Sequence, residues 1–139
     1  MQKIKEFFNR EDRFAAHNGM TITEVDEGYA RAEMVIEPHH MNGARTVHGG
    51  AIFTLADFAF AAASNSRGQV ALSISSSISI YKGQQQGRLI AEAREVHNAP
   101  KLGSFEVKVT NDSGDLLATF QGMVYRKSMP LDELIDSPS

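Results

Sequence analysis

The chain contains no cysteine and no tryptophan, and only four of its 139 residues are proline. Without cysteine there is no disulfide framework, no thiol nucleophile and no thiolate zinc site. Neither sign of charge dominates. The formal net charge is −3, which argues against bulk binding to nucleic acid. The N-terminal residues Met1-Gln2-Lys3-Ile4-Lys5-Glu6 lack the apolar run of a secretion signal, and the greasiest stretch is too short for a membrane span. No dinucleotide fingerprint, phosphate loop or nucleophile elbow occurs. What remains is one domain with a sizeable core, expected in the cytoplasm with no cofactor and with neither nucleic acid nor membrane as partner.

What is present is an apolar segment with one acid in it. From Gly50 to Ser64 the residues can be set on a wheel at 3.6 per turn. Gly50, Thr54, Asp57, Ala61 and Ser64 form one narrow stripe, while Ile52, Phe53, Leu55, Ala56, Phe58, Ala59, Phe60, Ala62 and Ala63 cover the rest. A helix apolar nearly all round is buried in a larger structure. A carboxylate there is costly unless facing groups satisfy it or it has a chemical task, and both readings of Asp57 stay open. The preceding glycines suit a helix N-terminus, whose free N–H groups can receive an oxyanion. Asp57 lies seven residues past Gly50, roughly 10 Å along the axis, too far for both to touch one scissile carbonyl. If both serve one reaction, the acid comes from a second copy of the helix.

The rest of the chain supplies strands. A helical start is predicted from Lys3 to about His17, with Ile4, Phe7, Phe8 and Phe14 as a partial apolar face. Strands over Met20–Val25 and Tyr29–Ile36 flank a turn at Asp26-Glu27-Gly28. Pro38–Val47 is a loop, and Arg67-Gly68 ends the central helix. Four further strands are predicted over about Val70–Tyr81, Arg88–His97, Gly103–Asn111 and Leu116–Arg126. Residues 1–127 form the expected domain, and residues 128–139 a mobile or loosely docked tail. In Val70–Tyr81 the apolar Leu72, Ile74, Ile78 and Ile80 alternate with Ser73, Ser75, Ser77 and Ser79. The apolar face is expected on the helix. The serine face suits solvent, another sheet or a narrow tunnel. One greasy helix followed by a meander of strands is an α+β pattern, an antiparallel sheet wrapped around a central helix.

Asn42-Gly43-Ala44-Arg45-Thr46-Val47-His48-Gly49-Gly50, followed by Leu55-Ala56-Asp57, resembles the signature of the PaaI-type hotdog thioesterases, named for phenylacetate degradation. The likeness runs from about Asn18 to Tyr125. It implies the hotdog fold and a role for each matching residue. Gly50 would polarise the thioester carbonyl through its N–H, and Asn42 would orient substrate or attacking water. His48 would hold the loop or add a hydrogen bond, and Asp57 of the partner subunit would act as general base or nucleophile. Gly49, Thr54 and Ser73 would contact substrate, with Ser75 as a second option for the serine. The resemblance further implies a homodimer that forms the site, with dimers pairing into a homotetramer.

Other constellations carry less. His39, His40 and His48 lack a carboxylate or cysteine at metal-ligand spacing, so no metal is expected. Met34, Phe53 and Phe60 are candidates for an acyl pocket or for plain core. Arg45, Lys82, Arg88, Lys101 and Arg126 could meet the phosphates of coenzyme A, and none stands out as the binder. The expected function is hydrolysis of an aryl- or medium-chain acyl-coenzyme A to free acid and thiol. The alternative is a non-catalytic acyl-coenzyme A sensor or carrier on the same fold. A hotdog dehydratase would ask for a different arrangement of histidine and acid.

Overall fold

A computed structural model describes residues 1–138. The elements run α1 (Gln2–Glu11), α2 (Arg13–His17), β1 (Met20–Asp26), β2 (Tyr29–Val35), a short 3-10 turn (Pro38–His40), α3 (Gly49–Ser64), β3 (Gln69–Ile80), β4 (Arg88–Asn98), β5 (Leu102–Asn111), β6 (Leu116–Pro130) and α4 (Leu131–Asp136). The six strands form one antiparallel sheet in the order β1-β2-β4-β5-β6-β3. After β2 the chain crosses through α3 to the far edge, lays down β3, and returns with β4 beside β2. The element order matches the α+β expectation. None of the described helices is long and apolar enough to cross a membrane.

The central helix lies on a bed of small residues. Ala30 and Ala32 of β2 and Ala91 and Ala93 of β4 are fully buried, as are Ala56, Ala59, Ala62 and Ala63 of α3. Alanine facing alanine lets the helix backbone approach the sheet, so α3 packs mainly over β2 and β4. Phe58, Phe60, Phe105 and Phe120 fill the remaining space. Phe60 reaches β6 only because residue 122 is glycine, where a Cβ would stand 2.6 Å from the ring. Met34 and Phe60 are each 1% exposed and belong to this core, which removes them as pocket candidates.

Three local expectations are corrected. The N-terminal helix is broken at Asp12, whose carboxylate accepts from Ala15 N (3.0 Å) and starts a second helix. The strict alternation read along β3 fails at a bulge. Ser73 pairs with Val124 and Ser75 with Met123, so Ile74 is the extra residue and the faces exchange beyond it. Leu72 then shares a face with Tyr125, while Ile78 and Ile80 share one with Phe120 and Ala118. Finally, the segment expected as a tail continues β6 to Pro130 and forms α4. Leu131 is 2% exposed, and its N–H donates to Gly68 O (2.8 Å). An apolar anchor and a backbone bond dock this end of the chain.

Candidate active site

The residues singled out around positions 42–57 gather at the N-terminus of α3. His48 is the N-cap, in an extended conformation, and its Nδ1 accepts from Gly50 N (2.8 Å). That bond leaves the imidazole proton on Nε2, so the exposed ring presents a donor outward. It also changes the expected arrangement, because the Gly50 N–H is already taken. The open donor is its neighbour: among the described residues the Gly49 N–H has no partner. Gly49 is the first residue of the helix, and a Cβ there would touch Ile80 Cδ1 at 3.3 Å. The last turn of β3 therefore stands directly beside the free N–H.

Asn42 builds the loop in front of the helix. Its Oδ1 accepts from Ala44 N (2.9 Å) and Thr46 N (3.2 Å), and its backbone N donates to Thr46 O (2.8 Å). The carbonyl end of the side chain is spent, and the Nδ2 donors remain. His40 is buried and also structural. Its Nδ1 accepts from Glu37 N (2.9 Å), while Nε2 lies 2.9 Å from Asn18 O and carries the proton in that tautomer. No group of three metal-ligating side chains converges among the described residues.

Beside the helix N-terminus lies a pocket of roughly 330 Å³. Phe14, Met20, Met41 and His48 line it together with Ala51 and Thr54 of α3. Thr54 thus reaches the pocket, although its hydroxyl donates to Gly50 O (2.7 Å). The sequence places Phe14 on a partial apolar helix face with Ile4, Phe7 and Phe8. It is 66% exposed, on α2 beyond the break at Asp12.

Asp57 is half-buried on α3 and has no hydrogen bond or ion pair among the described residues. Burial raises its pKa above the ordinary value, and the negative charge of Asp12 adds to the rise. Asp12 falls inside the single helix predicted over Lys3–His17; an Asp is a favoured N-cap, and that residue type is the signal in the sequence for the new helix start at Arg13. Asp57 lies eight residues beyond Gly49, about 12 Å along α3, so one protomer does not bring the acid to the free N–H. Ser73 is also apart: it sits seven residues before Ile80, about 20 Å of strand, with its Oγ 3.1 Å from Ser76 Oγ.

A long helix seated on a six-stranded antiparallel sheet, with a glycine-led helix start facing a pocket, defines the hotdog class. The structure overlays the E. coli PaaI protein of the phenylacetic acid degradation operon with a TM-score of 0.87 at 28% identity, covering 93% of this chain and 96% of that one. In sequence, the acyl-coenzyme A thioesterase PaaI of Escherichia coli is 33% identical over 116 residues, 83% of each chain. A putative esterase of Archaeoglobus fulgidus is 41% identical over 127 residues, 91% of this chain and 82% of that protein. Residues 2–125 also match the profile described as a domain of unknown function, DUF4442. The chain belongs to the PaaI-type hotdog thioesterase family, and by class it is a thioester hydrolase.

Proposed function

We propose that the protein hydrolyses acyl-coenzyme A thioesters to a free acid and coenzyme A, at a site built by two subunits. The observation that carries this reading is a pair of unsatisfied groups of opposite character on one helix. One is the open Gly49 N–H at its start, and the other is the unpaired, half-buried Asp57 carboxylate about 12 Å further on. In an antiparallel pair of such helices, each N–H meets the other copy's acid.

The thioester carbonyl oxygen sits on Gly49 N–H, with the outward Nε2–H of His48 and Nδ2 of Asn42 as further donors. Asp57 of the partner subunit takes a proton from water, and the hydroxide adds to the carbonyl carbon. The tetrahedral oxyanion collapses, the C–S bond breaks, and the thiolate recovers the proton from Asp57. In the other form of the same proposal the carboxylate itself attacks, expels the thiolate and leaves a mixed anhydride that water cleaves. Heavy oxygen from the solvent in the Asp57 side chain after turnover identifies the anhydride route, since it enters there when water attacks the Asp57 carbonyl of the anhydride and never when Asp57 acts only as base.

A dimer is supported by β3, a twelve-residue edge strand with unpaired backbone on its outer side. Leu72 is 49% and Ile74 58% exposed along it. On this reading the aryl- or medium-chain acyl group, cytoplasmic location and pairing of dimers into a tetramer stand as extensions of the same proposal.

The test uses the helix start itself. Proline is well tolerated at a first helical position, and His48 already has the extended backbone (φ −63°, ψ 136°) that a following proline requires. Gly49→Pro deletes the open N–H, and because a Cβ at this position would meet Ile80 Cδ1 at 3.3 Å it is made together with Ile80→Ala. Compared with Ile80→Ala alone, kcat is expected to fall about 10²- to 10³-fold. Asp57→Ala is expected to abolish turnover while the oligomer persists. Mixed dimers of the two inactive variants should regain activity, because one of their two sites is intact. No recovery on mixing would overturn the shared site, and full activity of Asp57→Ala would overturn the mechanism.

A further inference from the structure

We propose that Arg45 is the residue that holds the phosphates of coenzyme A, which makes the protein selective for coenzyme A thioesters over thioesters of short thiols. The inference rests on the thioesterase reading and names the charge that the reading lacks.

Arg45 is the one non-glycine residue with positive φ (63°) among the described residues. Such a conformation is unfavourable for a long side chain, and glycine would occupy it without strain. Its backbone is nevertheless held firmly. Arg45 N donates to Asn42 O (3.1 Å), and Asn42 Oδ1 ties the amides on either side of it. Thr46 Oγ1 accepts from Gln84 N and donates to Gln84 O, both at 3.0 Å. Gly83 leaves room for that clasp, since a Cβ there would stand 2.7 Å from Thr46 Oγ1. The loop is thus a fixed mount that directs an exposed guanidinium into solvent, and every amide from Ala44 to Thr46 is used in building it. Only the side chain is left to meet a ligand.

The mount begins and ends at the site: Met41 and His48, which flank the loop, both line the pocket, and the loop is closed by the Met41–Val47 bridge and by His48 N donating to His40 O (2.7 Å). The other candidate cations are engaged or distant. Lys82 is drawn onto Asp115, and Arg88 lies between Glu33 and Asp112. Arg126 is buried, donating to Ala99 O and Leu102 O and paired with Glu95. Lys101 lies in the β4–β5 turn beside Arg126, at the opposite end of the sheet from the start of α3. Arg45 has no acidic partner among the described residues. A planar, always charged donor fork suits a phosphate, and a rigid mount limits the entropy lost on binding.

The experiment compares one acyl group on coenzyme A and on N-acetylcysteamine, a thiol with no phosphate. In Arg45→Ala the preference for the coenzyme A thioester is expected to fall on the order of tenfold, through KM rather than kcat, as one charge-assisted contact is lost. Arg45→Lys should restore much of it, and raising the salt should erase it in the wild type. Arg45→Gly relieves the backbone and deletes the charge, so it should melt higher and still lose the preference. Calorimetry with the bisphosphorylated adenosine end of coenzyme A reads binding without turnover, and only the arginine and lysine forms should bind. Equal preference and equal binding in wild type and Arg45→Ala would overturn the assignment while leaving the thioesterase reading in place. Binding of the nucleotide through Arg45 with no turnover of either thioester would uphold the assignment and overturn the hydrolase mechanism.

Discussion

At the scale of the residue, Asp57 shows how an apolar surrounding prepares an acid for work. Burial penalises the carboxylate, and Asp12 adds a like charge, so its pKa lies above the ordinary 3.8. Between those two values the folded chain keeps a proton that the unfolded chain has lost, so stability declines as pH rises through that window. Asparagine carries no such penalty. Asp57→Asn should therefore melt above the wild type at neutral pH, with the difference closing below pH 3.8. Melting curves across pH test this, and coincident curves at neutral pH would show that the carboxylate is well solvated. The neighbouring residues show the opposite economy. His48 Nδ1, Asn42 Oδ1 and the Thr54 hydroxyl are all committed to backbone, while His48 Nε2 and Asn42 Nδ2 stay open for a ligand. That commitment fixes geometry before substrate arrives.

At the scale of the element, α3 and β3 divide the labour. Alanines let α3 sink onto β2 and β4, which leaves Gly50, Thr54, Asp57 and Ala61 as its less buried seam. β3 brings Ile80 to the helix start and then lies as an uncovered edge. The bulge at Ile74 twists the strand and puts apolar side chains where a solvated edge would carry charge. Ile74→Lys should keep the protomer folded, since the residue is exposed, while a charge on the edge blocks strand pairing. Sedimentation should then show monomers, with activity lost in parallel. An active dimer of this variant would place the subunit contact elsewhere.

At the scale of the whole molecule, the two termini meet and close the fold. Lys3 of α1 bonds Asp132 of α4 (3.1 Å), and its pKa is raised by that hydrogen bond. Both groups are exposed, so the contact contributes little, and the anchor is the buried Leu131. Leu131→Ala is expected to cost about 2–5 kcal/mol in chemical denaturation, against nearly nothing for a loose tail. A second ion-pair group, Arg67 with Glu27 and Glu95 and Arg126 with Glu95, joins the helix end to the β1–β2 and β4–β5 turns. Together these contacts make residues from the first helix to the last one packed body.

The sequence by itself determined the elements whose physics is local. Apolar periodicity marked α3, turn residues separated the strands, and the wheel isolated a stripe of which Gly50, Thr54, Asp57 and Ala61 stay partly open while Ser64 is buried. The motif from Asn42 to Asp57 carried the family, because its residues are close in the chain and their spacing survives without knowledge of the fold. Tertiary structure alone decided which atoms remain free. Gly49 and Gly50 are equivalent in a string of letters, and only the turn of the His48 ring separates a capped N–H from an open one. The bulge in β3 likewise depends on the partner strand, and the docking of Leu131 on a surface assembled from distant segments. Arg45 reads as one cation among several until folding pairs Lys82, Arg88 and Arg126 with acids and leaves Arg45 without an acidic partner among the described residues, in the loop before α3.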